Sequence, residues 1–259
     1  AEDGVFRDDL ETGATERIVG TREVCEFDPR PEFETRDSWL EHALWNPSGT
    51  RFAFLHRWND PDGSFRSRLF TADPDGTDMF MFPDVGVYSH LDWRNDEEFT
   101  VWTIGPSSHQ ETETLVRDNP LVDAVVRPTY RILRDHVFGS RLDDAVLPDR
   151  GYVEFTDRSR QFERLEPDLL TEDGHFTWTE DEHWLLTDTY PLEEDRQPRL
   201  LYDDRNGDLH ELGQFHSTMA DTSFKCDLHP RWDRTEDRVV VDSAHRDTRQ
   251  MVVLEQELT

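Results

Sequence analysis

Four times in 259 residues a histidine stands three positions before a tryptophan: "HALW" (His42, Trp45), "HLDW" (His90, Trp93), "HFTW" (His175, Trp178) and "HPRW" (His229, Trp232). With 11 His and 8 Trp in the chain, about 0.3 such pairs would arise by chance. Aligned on these sites, the chain repeats. After "HALWNPSG" comes "TRFAFLHRW" and then "RSRLFTADPDGTDMFMF"; after "HFTWTEDE" comes "HWLLTDTY" and then "PRLLYDDRNGDLHELGQF". Short apolar segments are separated by NPSG, TEDE, DRTED, DPDG and DRNG, whose Gly, Asp, Asn and Pro favour tight turns. Each unit therefore reads as four antiparallel strands, a to d. A four-stranded unit that recurs every roughly 40–50 residues predicts an all-β chain, a β-propeller with about 4–5 blades visible.

The register follows from the repeat, within a single β-propeller domain over 1–259. Residues 4–20 read as strands c and d of a partial blade, 42–83 as a full blade, 175–215 as another and 229–256 as the last. Residues 88–165 read as a blade interrupted over 105–149 by an insertion, or less simply by a degenerate blade. Either the N-terminal strands complete the last blade of a very small ring, or earlier blades of a larger ring precede a chain that starts with Ala rather than Met. The second arrangement would expose sheet faces and favour association.

Charge narrows the partners. The net charge is −30, from 28 basic and 58 acidic residues, and the acids are spread along the chain, which predicts an acidic surface rather than a solvated tail. Only Lys225 is a lysine, an arginine bias that resembles proteins of salt-in halophilic archaea, where salt screens self-repulsion. With no basic patch, nucleic acid and an anionic membrane surface are excluded as expected partners. Cys25 and Cys226 are far apart and outside any metal-ligand spacing, so they read as buried thiols of a reducing, cytoplasmic compartment. No apolar run approaches the length of a membrane span or a signal peptide. P-loops, H-E-x-x-H and G-x-S-x-G are absent from the sequence.

In a blade, strand a lines the central channel, and its start lies beside the end of b because the two form a hairpin. This construction sets His42 opposite His56, His90 opposite Thr103, His175 opposite Asp188 and Thr189, and His229 opposite Asp242 and Ser243, with His245 just beyond. It gathers six histidines and two carboxylates at one mouth. Neutral imidazoles held by carboxylates suit a divalent metal or a general base. Asp227, two before His229, is a further candidate ligand. Arg57 would either bind a substrate carboxylate or pair with an acid of the next blade. The 105–149 segment would rise over the mouth as a lid and offer Arg127, Tyr130, Arg131, Arg134 and His136 to an anionic substrate. The opposing reading is structural: histidines bonded to the neighbouring blade and tryptophans filling the space between blades, with no ligand.

The run "EDGHFTW", "LLTDTYP", "LLYD", "LGQFHS", "CDLHPRW" and "VDSAHRDTRQM", with "NPSGTRFAFLHRW" and "SHLDWR", resembles the TolB-like propeller proteins related to oligogalacturonate lyases. The resemblance implies a seven-bladed ring of which this chain is an N-terminally truncated member. It also implies a cytoplasmic enzyme that holds manganese with several histidines and a glutamine and eliminates across a uronate C4–C5 bond with a histidine base and an arginine. Carried onto this sequence, the metal set becomes His175, His229 and His245, with Asp242 or Asp227 replacing the glutamine, for which Gln250 is the only nearby candidate. His56 with Arg57, or His90, would supply the base and its arginine. His42, Asp188, Tyr190 and Arg231 would meet the sugar. The expected function is a metal-dependent lyase acting on an oligosaccharide; the alternative is a non-catalytic propeller binding a glycan or protein partner at its mouth.

Overall fold

Strands whose two faces are both apolar cannot stand alone, and here alternate residues of each strand feed two different cores. In the computed structural model, residues 3–60, 63, 65–83, 86–104, 150–191, 195–216 and 226–256 are described. The expected lid, 105–149 with Arg127, Tyr130, Arg131, Arg134 and His136, lies outside the described residues.

Five antiparallel sheets follow one another along the chain. Strands β1 (Gly4–Asp8) and β2 (Thr15–Gly20) form a two-stranded sheet, followed by helix α1 (Thr21–Phe27) and a short 3-10 turn at Pro31–Glu34. Strands β3 (Ser38–Trp45), β4 (Phe52–Asn59), β5 (Phe65–Ala72) and β6 (Phe80–Met81) pair in order. So do β7 (Val87–Trp93), β8 (Glu98–Ile104), β9 (Gly151–Thr156) and β10 (Phe162–Leu165), with β8 and β9 bonded directly across the 105–149 segment. The next sheet is β11 (Phe176–Trp178), β12 (Trp184–Asp188), β13 (Arg196–Asp203) and β14 (Asp208–His216). The last has three strands, β15 (Arg231–Trp232), β16 (Arg238–Ser243) and β17 (Gln250–Glu255). This is a β-propeller. β1 and β2 pair with each other and pack on the β3–β6 sheet, so among the described residues they do not complete the last blade.

The cores lie between sheets. Phe52 and Phe54 of β4 face Ile18, Val19 and Val24, while Ala53 and Leu55 of the same strand face Tyr88, Leu91 and Trp93 of the next blade. Trp102 and Tyr152 meet Phe176, Trp178 and Leu185; Trp184 and Leu186 meet Leu228, Val239 and Val241. Each fully buried large apolar side chain contributes about 1.5–3 kcal/mol, so blade order is fixed mainly by this lateral packing.

Two of the four H-x-x-W tryptophans latch neighbouring blades through hydrogen bonds. Trp93 Nε1–H donates to the carbonyl of Leu44 (3.0 Å), and Trp178 Nε1–H to Thr100 Oγ1 (3.0 Å), each on the preceding blade. Trp45 is 41% exposed, since the β1–β2 sheet in front of it has no inner strand to cover the ring. The a–b turns interlock on the same side: the Ser48 N–H donates to Asp96, the Asn95 amide to Glu182 and the Glu180 N–H to Glu236. At the turn "DPDG", Gly76 has φ +81°, and a Cβ there would meet the Ile18 carbonyl at 1.8 Å. Only glycine fits.

Candidate functional site

The inner strands carry their histidines on irregular backbone. The β3–β4 ladder breaks between Glu41 and Leu44, and the β7–β8 ladder between Tyr88 and Leu91, so His42 and His90 both sit in bulges. His42 (φ +52°) and His229 (φ +44°) adopt left-handed backbone, which costs each about 1 kcal/mol. Bulges re-aim side chains. With His175 and His229, which lie just before β11 and β15, His42 and His90 make a row of four imidazoles from four consecutive blades: ring centroids are 5.7 Å apart for His42 and His90, 4.1 Å for His90 and His175, and 3.6 Å for His175 and His229. His175 is buried, His90 largely so, and His42 and His229 open to solvent.

Acceptor-only partners fix the tautomers. His175 Nδ1 lies 3.2 Å from both oxygens of Asp188, His90 Nδ1 is 3.0 Å from Asp173 Oδ1, and His229 Nδ1 is 3.2 Å from the Asp227 carbonyl. Each Nδ1 therefore carries the proton, and each Nε2 keeps its lone pair. No hydrogen bond among the described residues engages those Nε2 atoms. His42 is pushed down to about 4 by partial burial and then by His90, His175 and His229, which keeps its imidazole neutral. His229 is lowered as well, by partial burial and then by His175.

Tyr190 stands beside the row, 5.7 Å from His175 and 6.1 Å from His90, its phenol pushed up by burial and by Asp173, Asp227 and Asp188. Arg57 lies under the same mouth. It ion-pairs with Glu41, donates to the carbonyls of Tyr88 and Ser89 (3.3 Å each) and stacks on Phe65, and burial lowers it to about 10, still a cation at neutral pH. The expected ion pair of Arg57 with an acid of the next blade is not what forms: its acid is Glu41 of its own sheet, and the next blade offers it carbonyls.

Other expected residues are placed elsewhere. His56 pairs with Leu40, not His42, because the bulge at His42 and Ala43 shifts the register. Adjacent strand residues face opposite sides, so while Arg57 faces the next blade, His56 is fully buried against Phe33 and Trp58. Its Nδ1 accepts from Arg68 (3.1 Å), which puts its proton on Nε2, 3.8 Å from Cys25 Sγ, and burial pushes it down to about 3. It cannot act as a base at the mouth. Thr103 pairs with Tyr88 rather than His90 for the same reason of register.

Asp188 is fully buried and so reaches no sugar directly. Its carboxylate accepts the backbone N–H of His175 (2.7 Å) and of His229 (3.0 Å), joining two blades under the row. His245 stands apart, packed on Phe215 and bonded to Ser243 Oγ (2.8 Å). Asp242 is half-buried in β16, opposite Met251. Arg231 donates to the carbonyls of Phe176 and Pro230 and lies near Asp92. Asp92, two residues beyond His90, accepts the Trp178 N–H and is raised by burial to about 6. Asp173 and Asp92 were invisible to hairpin counting, since each acts on another blade or loop.

The expected metal set of His175, His229, His245, Asp242 and Asp227 is not assembled. Among the described residues no three His, Cys, Asp or Glu side chains stand where one ion could be held. Donor chemistry does fit at His175 and His229, each with Nδ1 tied back and Nε2 open.

No protein-family model matches the chain, and no curated protein does. Among solved structures, it is similar to an oligogalacturonate lyase in complex with manganese, with a TM-score of 0.60 and 14% identity over 97% of this chain and 54% of that one. It is also similar to the hydrazine synthase of Kuenenia stuttgartiensis (TM-score 0.50, 8% identity, 98% of this chain and 65% of that one). A third is the β-propeller domain of the Trilobed protease from Pyrococcus furiosus (TM-score 0.43, 9% identity, 79% and 48%). At these identities the likeness is one of fold, and the chain spans about half the length of the lyase.

Proposed function

We propose that the histidine row is the site of a lyase acting on an acidic oligosaccharide, by β-elimination next to a uronate carboxylate. The observation that carries this is the row itself: four imidazoles from consecutive blades, three with Nδ1–H donated to a fixed acceptor and Nε2 open. A solved protein of this fold is an oligogalacturonate lyase in complex with manganese, which supports the substrate class. His175 and His229 would hold a divalent ion, whose charge when bound would neutralise the uronate carboxylate and acidify the neighbouring C–H. His90, oriented by Asp173, takes that proton on Nε2. Tyr190 and Arg57 flank the sugar, the phenol as hydrogen-bond donor and the guanidinium as a source of positive potential in an acidic protein.

The test has two arms. Metal analysis and manganese titration of the wild type and of His229→Ala read the ion, and the absorbance of unsaturated product from oligogalacturonides reads the elimination. No bound divalent ion and no product would defeat the proposal. A second reading, a non-catalytic mouth that binds a glycan, is favoured by the close approach of the rings, which as placed among the described residues hold no ion between three ligands. Saturable oligouronide binding without product would select it.

A further inference from the structure

Trp39 stands outside the repeat. The residues three before His90, His175 and His229 are Val87, Glu172 and Cys226, so the tryptophan three before His42 does not mark a recurring packing position. It lies on β3 directly opposite Arg57 of β4, and Phe65 of β5 lies diagonally beyond, two residues from the Ser67 that pairs with Arg57. Side chains on one face of a sheet recur every second residue, so the three share the face that Arg57 turns to the carbonyls of Tyr88 and Ser89 on the next blade. Arg57 packs on the Phe65 ring at 4.5 Å. Trp39 is half-buried, and Phe65 is 36% exposed. The indole is held by its edge: Nε1–H donates to Glu41 Oε2 at 2.9 Å, and Glu41 in turn ion-pairs with Arg57 and stands 3.5 Å from Nδ1 of His42. A fixed, half-open aromatic ring therefore adjoins the outer end of the histidine row.

We infer that Trp39 is the floor of a second sugar subsite, which takes an uncharged pyranose, neutral or esterified, attached to the uronate held by the row. This deepens the lyase reading of the row and rests on it. The hydrogens on one face of a pyranose form an apolar patch that covers an indole, and an indole already tied down loses little freedom when it is covered. Charge selects the sugar. Nη1 of Arg57 is taken by Glu41, Nη2 by the two carbonyls, and Nε is buried, so a carboxylate on this unit would meet Glu41 instead of a free cation. An ester or a hydroxymethyl group carries no such penalty. The charge requirement thus alternates along the ligand: a carboxylate over His175 and His90, none over Trp39.

Calorimetric titration of the full chain with manganese present tests this, in a His90→Ala background so that ligand is not consumed. The probes are galacturonate, digalacturonate and the two monomethyl esters of digalacturonate. One monoester is expected to bind about tenfold tighter than digalacturonate. Trp39→Ala lowers its affinity about tenfold, Trp39→Phe recovers most of that loss, and Glu41→Gln brings digalacturonate to within about twofold of the monoester. Galacturonate, which reaches only the row, binds the Trp39 variants and their parent equally. Tightest binding of digalacturonate, or a monoester affinity that Trp39→Ala leaves unchanged, overturns the inference. Galacturonate that does not bind, beside a disaccharide whose affinity falls in Trp39→Ala, defeats the row alone, and no binding of any probe overturns both.

Discussion

Replacing Asp188 by alanine tests whether the two central histidines are held as one unit. The carboxylate is fully buried and accepts the backbone N–H groups of His175 at 2.7 Å and His229 at 3.0 Å, and the ring Nδ1–H of His175 at 3.2 Å. A hydrogen bond to a charged acceptor contributes roughly 1.5–3 kcal/mol, and a buried donor left unpaired costs about as much again. Against this stands relief of the desolvation that the buried carboxylate itself suffers. The balance predicts that Asp188→Ala destabilises by about 3–5 kcal/mol, the usual loss on breaking a buried charged network. For a chain of this size that is a melting temperature lower by roughly 10 °C. Asp188→Asn leaves one carbonyl oxygen for two N–H donors and turns an amide N–H₂ toward the other, so it loses about half as much. Denaturant unfolding followed by tryptophan fluorescence reads the total, and amide exchange at His175 and His229 reads the local effect, which should be the largest in the protein. If Asp188→Ala lost less than about 1 kcal/mol, or exchange rose no more at those two amides than elsewhere, the clamp would not exist.

Stability should also depend on acid pH through His56 and His42, whose pKa values are lowered in the fold. His56 lies near 3 and His42 near 4 in the fold against an ordinary 6.5, so the unfolded chain binds protons that the folded one refuses. Their stabilisation is complete above pH 6.5 and is lost as pH falls toward 4 and then 3; the melting temperature should drop in that window, and less so in His56→Phe, while a flat profile would contradict the reading. Gly174→Ala should destabilise by at least about 2 kcal/mol, because a Cβ would stand 1.9 Å from the Asp188 carbonyl; calorimetry showing a wild-type melting temperature would exclude it. His90→Ala should lower kcat on an oligouronide by about 10²–10⁴ and Asp173→Asn, which releases Nδ1, by about 10–100. In each case KM should change little, and equal losses in binding would instead mark both as substrate contacts.

The propeller was legible because its signal is periodic. Turn residues mark where each strand ends, and alternate apolar positions in strands such as β4 and β8 show that both faces are buried. The recurrence of His and Trp three apart marks the same place on each inner strand, which is why His42, His90, His175 and His229 could be named together. Hairpin counting also put His175 opposite Asp188, where the Asp188 N–H donates to the His175 carbonyl. It failed where a bulge intervened: two unpaired residues at His42 and Ala43 of β3 left Leu40 as the partner of His56, which the regular alternation of β4 faces into the core.

What binds the row together was not legible. Asp173 orients His90 from 83 residues away, and Asp188 takes the His229 N–H from 41 away. Sequence fixes what lies within one hairpin, because pairing and period are local. Which carboxylate meets which imidazole is decided between blades, where only the lateral packing of Trp93, Trp178 and their apolar neighbours sets the distance.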